Sequence, residues 1–155
     1  MTFQLSALPA STFVPLFALS DEALAAQRCR RVLATSSPGF PCRVSLRDAD
    51  VGETLILVNF EHLPVDSPFR STHAVYVRQD AEQARPDVGE IPAYLRSRLL
   101  SVRAFDADGM LIDADVAPGT AVEALIERML ADAAVAYLHV HFARPGCYAA
   151  RVDRG

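Results

Sequence analysis

The sequence predicts a single α+β domain over residues 1–155, with a mixed, mostly antiparallel sheet and two main helices. Short apolar segments with strand-like alternation outnumber the amphipathic helical segments and rarely alternate with them. The turn Asp106–Gly109 contains Asp-Gly and joins two of these segments directly, as in a β-hairpin. The chain has 155 residues, of which 51% are hydrophobic. That is enough to bury a core without disulfides or a structural metal.

Two segments are predicted to be the main helices. The first runs from Asp21 to Arg31, because Ser20 is a favourable N-cap and the arginines at its end complement the helix dipole. The second runs from Ala121 to Ala131, where Thr120 and Glu123 have the spacing of a capping box. Its apolar residues recur at helical spacing and predict one buried stripe: Val122, Leu125, Ile126, Met129 and Leu130.

The remaining apolar segments are predicted to be strands. Thr54 to Phe60 is apolar almost throughout, which predicts a central strand that is covered on both faces. Ala74 to Val77 is a further short strand. Two hairpins follow, one formed by 99–105 and 110–116 and one formed by 136–142 and 147–152.

Composition and charge exclude several classes of protein. The chain has 19 acidic and 15 basic residues and a formal net charge of −4, which does not favour nucleic-acid binding. It has no apolar run of membrane-spanning length. Residues 1–20 lack cations and contain Pro9 and Pro15, which is not typical of a signal peptide. We therefore expect a cytoplasmic protein whose three cysteines form no disulfide framework. Its oligomeric state is not indicated.

All fifteen basic residues are arginine, and the chain contains no lysine. This excludes Schiff-base chemistry, pyridoxal phosphate attachment and a P-loop lysine. A guanidinium group suits bidentate contacts to carboxylate or phosphate. The composition is therefore compatible with a small anionic ligand as a partner.

In the segment from Pro38 to Cys42, two prolines restrict the backbone just before the thiol of Cys42. Pro38-Gly39 forms a turn, and Pro41 fixes the chain just before Cys42. Alternation then places Cys42 and Val44 on one strand face and Arg43 on the other. Cys42 is thus a candidate nucleophile, although a small cysteine that simply fills the core explains the pattern equally well.

The last hairpin places two histidines on one strand face. His139 and His141 alternate with apolar neighbours. If the turn takes three residues, Cys147 and Arg151 share the histidine face. If it takes two, both residues move to the opposite face. The sequence leaves the two registers open.

Three interpretations of these residues compete. In the first, cysteine and histidine form a nucleophilic site, with candidate catalytic residues Cys42, His139, His141 and Cys147 and candidate ligand-binding residues Arg43, Arg103 and Arg151. In the second, His-x-His with a nearby cysteine binds zinc, but no CxxC or HExxH accompanies it, so no metal ligand is assigned and the cofactor stays unknown. In the third, the same residues are structural and the chain is a non-catalytic interaction domain. A further hypothesis is that Cys42 and Cys147 approach the His139–His141 strand and share an anion pocket. The alternative is that the two strands lie far apart and that each arginine pairs with its own surface carboxylate.

Four stretches together resemble a bacterial domain-of-unknown-function family, DUF1203. They are PGFPCRVSLRDA (38–49), SPFR (67–70), RLLSVRAFDADGMLIDA (98–114) and HVHFARPGCYAARVDR (139–154). The resemblance implies a small, single-domain bacterial protein. It implies no activity, cofactor or catalytic residue.

Overall fold

The computed structural model describes residues 2–155, which form ten strands and four helices. The strands are β1 (Phe3–Ser6), β2 (Cys29–Leu33), β3 (Pro41–Cys42), β4 (Arg47–Asp48), β5 (Thr54–Leu63), β6 (Ser71–Arg78), β7 (Leu99–Phe105), β8 (Leu111–Pro118), β9 (Tyr137–Phe142) and β10 (Tyr148–Arg154). The helices are α1 (Val14–Phe17), α2 (Asp21–Ala26), α3 (Ala93–Arg96) and α4 (Val122–Leu130). The predicted α+β class is confirmed, although strands dominate.

The strands form two five-stranded sheets rather than the single sheet that the sequence predicts. The first sheet has the order β1-β10-β9-β7-β8, and the second has the order β2-β5-β6-β3-β4. Every pair in the first sheet is antiparallel, and the second contains one parallel pair, β3 with β6. The prediction of one sheet was wrong because alternation marks a strand without naming its partners. The chain leaves the second sheet after β6 and enters the first at β7, through the segment 79–98.

The second sheet contains the predicted apolar strand. β5 pairs with β2 on one side and β6 on the other, and it extends past Phe60 to Leu63. Leu55 and Ile56 are fully buried but belong to different apolar clusters, so both faces are covered there. Ile56 faces a cluster with residues of β6 and the N-terminal helices, and this layer also receives Tyr148 from the first sheet.

The first predicted helix is shorter than expected. α2 ends at Ala26, Arg28 adopts a positive φ of 59°, and Cys29 begins a strand that pairs with β5. The left-handed residue reverses the chain, which explains why no helix reaches Arg31. The N-cap is confirmed, because the Ser20 hydroxyl accepts a hydrogen bond from the Ala23 N–H at 3.1 Å.

The second predicted helix is present with a different start. α4 begins at Val122 after a 3₁₀ turn over Gly119–Ala121, and its N-cap makes no side-chain hydrogen bond. Glu123 binds Arg96 of α3 instead of closing a capping box. The predicted apolar stripe is buried against the first sheet. At nine residues α4 is the longest helix of the described chain, and between residues 2 and 155 no helix has the length and apolarity of a membrane span.

Packing of α4 can be tested with one core substitution. Ile126 of α4 is fully buried and packs in the apolar cluster that α4 shares with the first sheet. We expect Ile126→Ala to lower the free energy of unfolding by about 2–5 kcal/mol, since lost apolar contacts and a residual cavity both contribute. Urea unfolding measures the change, and Glu127→Ala on the exposed face of the same helix is the control. Equal stability of the two variants would contradict this packing.

Candidate functional site

All four histidines of the chain meet between the two sheets. His62 and His73 belong to β5 and β6 of the second sheet, and His139 and His141 belong to β9 of the first. The ring centroid of His62 lies 4.7, 5.4 and 5.1 Å from those of His73, His139 and His141 respectively. We call these four residues the histidine cluster. Each sheet contributes two of its members.

Strand alternation explains the convergence. On β9, Leu138, Val140 and Phe142 pack into the core beside α4, which turns the two histidines to the opposite face. On β5, His62 is in phase with Ile56 and Val58, which line the apolar layer of the second sheet. His73 is likewise in phase with Val75 and Val77 on β6. The cluster therefore continues that apolar layer toward the first sheet.

Hydrogen bonds show which ring nitrogen of His141 carries the proton and which nitrogens of the other histidines face each other. His141 Nδ1 lies 2.9 Å from the Gly146 carbonyl oxygen. A carbonyl only accepts, so Nδ1 carries the proton and Nε2 presents a lone pair. This Nε2 is buried and has no hydrogen-bond partner within residues 2–155. His62 contacts His139 through their Nδ1 atoms at 3.3 Å, and His62 Nε2 lies 2.6 Å from His73 Nδ1.

Burial keeps the imidazoles neutral. Desolvation, reinforced by neighbouring cations, lowers the pKa of His62 to about 4, that of His139 to about 3 and that of His141 to about 2. The pKa of the half-buried His73 is also lowered, chiefly by desolvation. The cluster therefore offers uncharged nitrogen lone pairs at neutral pH.

The groups around the cluster are aromatic and cationic. The Tyr148 ring stacks on His62 with a centroid distance of 5.0 Å and an interplanar angle of 14°. Arg103 pairs with His139 across β7 and β9, and Arg151 pairs with His139 across β10 and β9. Arg151 is neutralised by Asp153 at 2.8 Å, and its guanidinium lies 4.1 Å from the centre of the Tyr137 ring. Burial lowers the pKa of Arg103.

Three members of the cluster have the spacing of metal ligands. One ring nitrogen from each of His62, His139 and His141 lies within 4.8 Å of the other two. The side chains of His139 and His141 are 2% and 0% exposed. Neutral imidazoles in this arrangement are the ligands that zinc, copper and nickel prefer.

The last hairpin adopts a register with a bulge. His139 lies opposite Arg151, as the three-residue turn predicts, but His141 lies opposite Tyr148 and not Ala149. The extra residue is accommodated between Tyr148 and Ala150 as a β-bulge. The bulge turns the Tyr148 ring toward the histidines and leaves Ala149 in the core beside α4. Cys147 stays at the turn, before the strand begins.

A second polar feature lies at the same turn. The Arg43 guanidinium is 1% exposed. Its Nε donates to the Tyr148 carbonyl at 2.7 Å, its Nη1 to the Pro41 carbonyl at 2.6 Å, and its Nη2 lies 2.9 Å from Cys147 Sγ. Within residues 2–155 none of its hydrogen-bond partners is a carboxylate. Two of its partners are neutral carbonyl oxygens, and the third is the Cys147 sulfur.

Arg43 and Cys147 face a cavity of about 560 Å³. Arg98, Arg144 and Phe142 also line it. The guanidinium carbons of Arg43 and Arg98 lie 5.0 and 4.9 Å from the centre of the Phe142 ring, within cation–π range. Asp48 neutralises Arg98, whereas Arg144 is exposed at the rim. We call this space the arginine-lined cavity; its volume is that of a small-molecule site.

The other candidate residues lie elsewhere. Cys42 is fully buried, and its Sγ accepts hydrogen bonds from the N–H groups of Ser45 and Arg78 at 3.4 and 3.3 Å. It does not line the arginine-lined cavity. Arg103 and Arg151 border the histidine cluster rather than that cavity. The structure thus gathers Arg43 with Cys147, and His139 with His141, in two neighbouring places.

Sequence reasoning did not select His62, His73 or Tyr148. A signal for the first two was available, because each is a histidine in phase with the core-facing residues of an apolar strand. No sequence signal pointed to Tyr148, since its orientation depends on the bulge that follows it.

Fold and site together define a two-sheet α+β protein with a buried histidine cluster beside an arginine-lined cavity. A family model described as "Protein of unknown function (DUF1203)" matches residues 39–154. The chain therefore belongs to the DUF1203 family. The match covers the last hairpin, the four histidines, Arg43 and Cys147, and it leaves out residues 1–38 and Gly155. Neither a curated protein nor a solved structure matches the chain.

The lowered pKa values predict acid-sensitive stability of the metal-free protein. An unfolded histidine binds its proton below about pH 6.5, whereas His62, His139 and His141 stay neutral in the folded state to lower pH. The unfolded state therefore binds more protons, and stability falls as the pH drops from 6.5 toward 4. Each such histidine contributes up to about 1.4 kcal/mol per pH unit.

Urea unfolding between pH 7 and pH 4, in the presence of a chelator, measures this slope. His141→Asn is the matched variant, because an asparagine amide donates to the Gly146 carbonyl but does not titrate. We expect its stability to fall less steeply over the same range. Identical slopes for both proteins would show that His141 is not kept neutral by the fold.

Proposed function

We propose that this protein binds a small anionic molecule in the arginine-lined cavity and that Cys147 attacks it as a nucleophile. The observation that carries the proposal is the 2.9 Å contact between Arg43 Nη2 and Cys147 Sγ at the cavity wall. This hydrogen bond holds the sulfur at the cavity wall, where it can reach a bound molecule. Cysteine sulfur is a strong nucleophile toward electrophilic carbon.

Electrostatics support an anionic ligand. Arg43 supplies a fixed buried charge behind the sulfur, and Arg144 supplies an exposed one at the rim. Arg98 contributes less, because Asp48 holds it in a bidentate pair. Positive groups around a cavity raise the local concentration of anions and the rate at which they arrive.

Shape and polarity support a ligand with an apolar part. Phe142, Pro145 and Leu99 line the cavity together with the arginines. A carboxylate or phosphate next to a short hydrocarbon would place its charge near Arg144 and its carbon atoms on Phe142. In the reaction, Cys147 Sγ forms a bond to an electrophilic carbon, the leaving group departs with its electron pair, and the thiol proton passes to water.

Selective alkylation tests this function. We expect Cys147 to react faster with anionic iodoacetate, relative to neutral iodoacetamide, than the free thiol of glutathione does. An increase of about tenfold in that ratio is typical of electrostatic steering into a charged site. Mass spectrometry of tryptic peptides locates the modified cysteine, with the buried Cys29 and Cys42 as internal references. The preference should weaken in about 1 M salt, where the Debye length is about 3 Å.

Two arginine substitutions provide the control. Arg144→Gln removes the exposed charge at the rim and should lower the iodoacetate preference. Arg85→Gln makes the same change of net charge at an exposed position outside the cavity and should leave it unchanged. A glutathione-like ratio in the unmodified protein, or an equal effect of both variants, would instead favour a non-catalytic interaction domain in which Cys147 only satisfies Arg43.

A further inference from the structure

We infer that the histidine cluster is a binding site for one divalent transition-metal ion of the zinc class, with His62, His139 and His141 as its protein ligands. The site is separate from the arginine-lined cavity, which none of the four histidines lines. It therefore goes beyond the proposed function and does not depend on it.

His141 is prepared to act as a ligand. Its Nδ1–H donates to the Gly146 carbonyl at 2.9 Å, which fixes both the tautomer and the ring orientation. Metal-bound histidines in proteins typically donate their second ring nitrogen in this way. The opposite nitrogen, Nε2, is a fully buried lone pair without a hydrogen-bond donor in the described chain. Buried polar atoms are nearly always satisfied, and this lone pair is available to a metal ion.

His62 and His139 supply the next two nitrogens. Their Nδ1 atoms are 3.3 Å apart. Two ligands at a tetrahedral zinc ion, each with a Zn–N bond of about 2.0–2.1 Å, lie about 3.4 Å from one another. In the metal-free protein this separation accommodates one shared proton, and a metal ion can replace that proton without moving the two rings apart.

His73 is not a ligand in this arrangement but orients the ligand His62. When His62 binds through Nδ1, its Nε2 carries the proton and donates to His73 Nδ1, which lies 2.6 Å away. His73 thus orients His62 as the Gly146 carbonyl orients His141. Because His73 is half-buried while the three ligands are at most 9% exposed, its side of the cluster is the route to solvent.

The residues around the site limit which metal ion it would bind and what kind of fourth ligand that ion would have. Three neutral nitrogens and no carboxylate suit zinc, copper or nickel rather than magnesium or calcium. Arg103 adds positive charge next to the ligands, which opposes a bare divalent ion, whereas Asp153 neutralises Arg151. An anionic fourth ligand such as hydroxide or chloride offsets that charge, and three protein ligands with one open position leave room for it.

Metal titration of tag-free, chelator-treated protein tests the inference. We expect one Zn²⁺ per chain with a raised melting temperature, and Co²⁺ should give the intense visible absorption of a tetrahedral site. His141→Asn, which retains a donor to Gly146 but lacks the Nε2 ligand, should abolish stoichiometric binding. His73→Gln should weaken binding by about 10–100-fold, as loss of a group that orients a ligand does. Circular dichroism verifies that both variants fold.

Two further measurements keep the inference separate from the proposed function. Cys147→Ser should bind Zn²⁺ as the unmodified protein does, although it cannot be alkylated at that position. In ¹⁵N spectra of the unmodified protein, Zn²⁺ should shift the signals of His141 Nε2 and of His62 and His139 Nδ1. Failure of Zn²⁺ to bind stoichiometrically, unaltered binding by His141→Asn, or unshifted imidazole signals would each overturn the metal site.

Discussion

The buried charge of Arg43 is the constraint on which the arrangement of the two sheets depends. Arg43 follows β3 of the second sheet, yet its guanidinium bonds to Tyr148 and Cys147 of the last hairpin in the first sheet. A cation that is 1% exposed has to find its hydrogen-bond acceptors inside the protein, and these acceptors fix where the hairpin lies. Tyr148 stacks on His62 of the histidine cluster, and Arg43 and Cys147 line the arginine-lined cavity, so both sites adjoin this contact.

Much of the secondary structure could be predicted from the pattern of residues that are close in sequence. The apolar stripe of α4 and the Asp-Gly hairpin are specified by residues close in sequence, and both are present. The prediction of the first helix was wrong beyond Ala26. There Arg28 takes a left-handed backbone conformation, and an arginine side chain gives no signal for that conformation. The division into two sheets also escaped prediction, since it depends on which strands pair across long separations and not on the periodicity of any one strand.

The candidate sites show the same limit. His139 and His141 could be selected because they alternate within one strand, and Arg43 and Cys147 because they flank turns. Their grouping could not be predicted, since His62 and His73 reach the cluster only through the packing of one sheet on the other. The bulge beside Tyr148 is a further example: the three-residue register holds at His139 and Arg151, but Tyr148 rather than Ala149 lies opposite His141.

The turn between β9 and β10 has a consequence for communication between the two sites. Gly146 holds His141 through its carbonyl, and the next residue, Cys147, receives the Arg43 guanidinium. Adjacent residues of one turn thus belong to different sites. If both proposed sites bind their ligands, a ligand that shifts this turn would change the affinity of the other site, and by thermodynamic linkage the effect would be reciprocal. The occupancy of one site would then depend on the concentration of the other site's ligand.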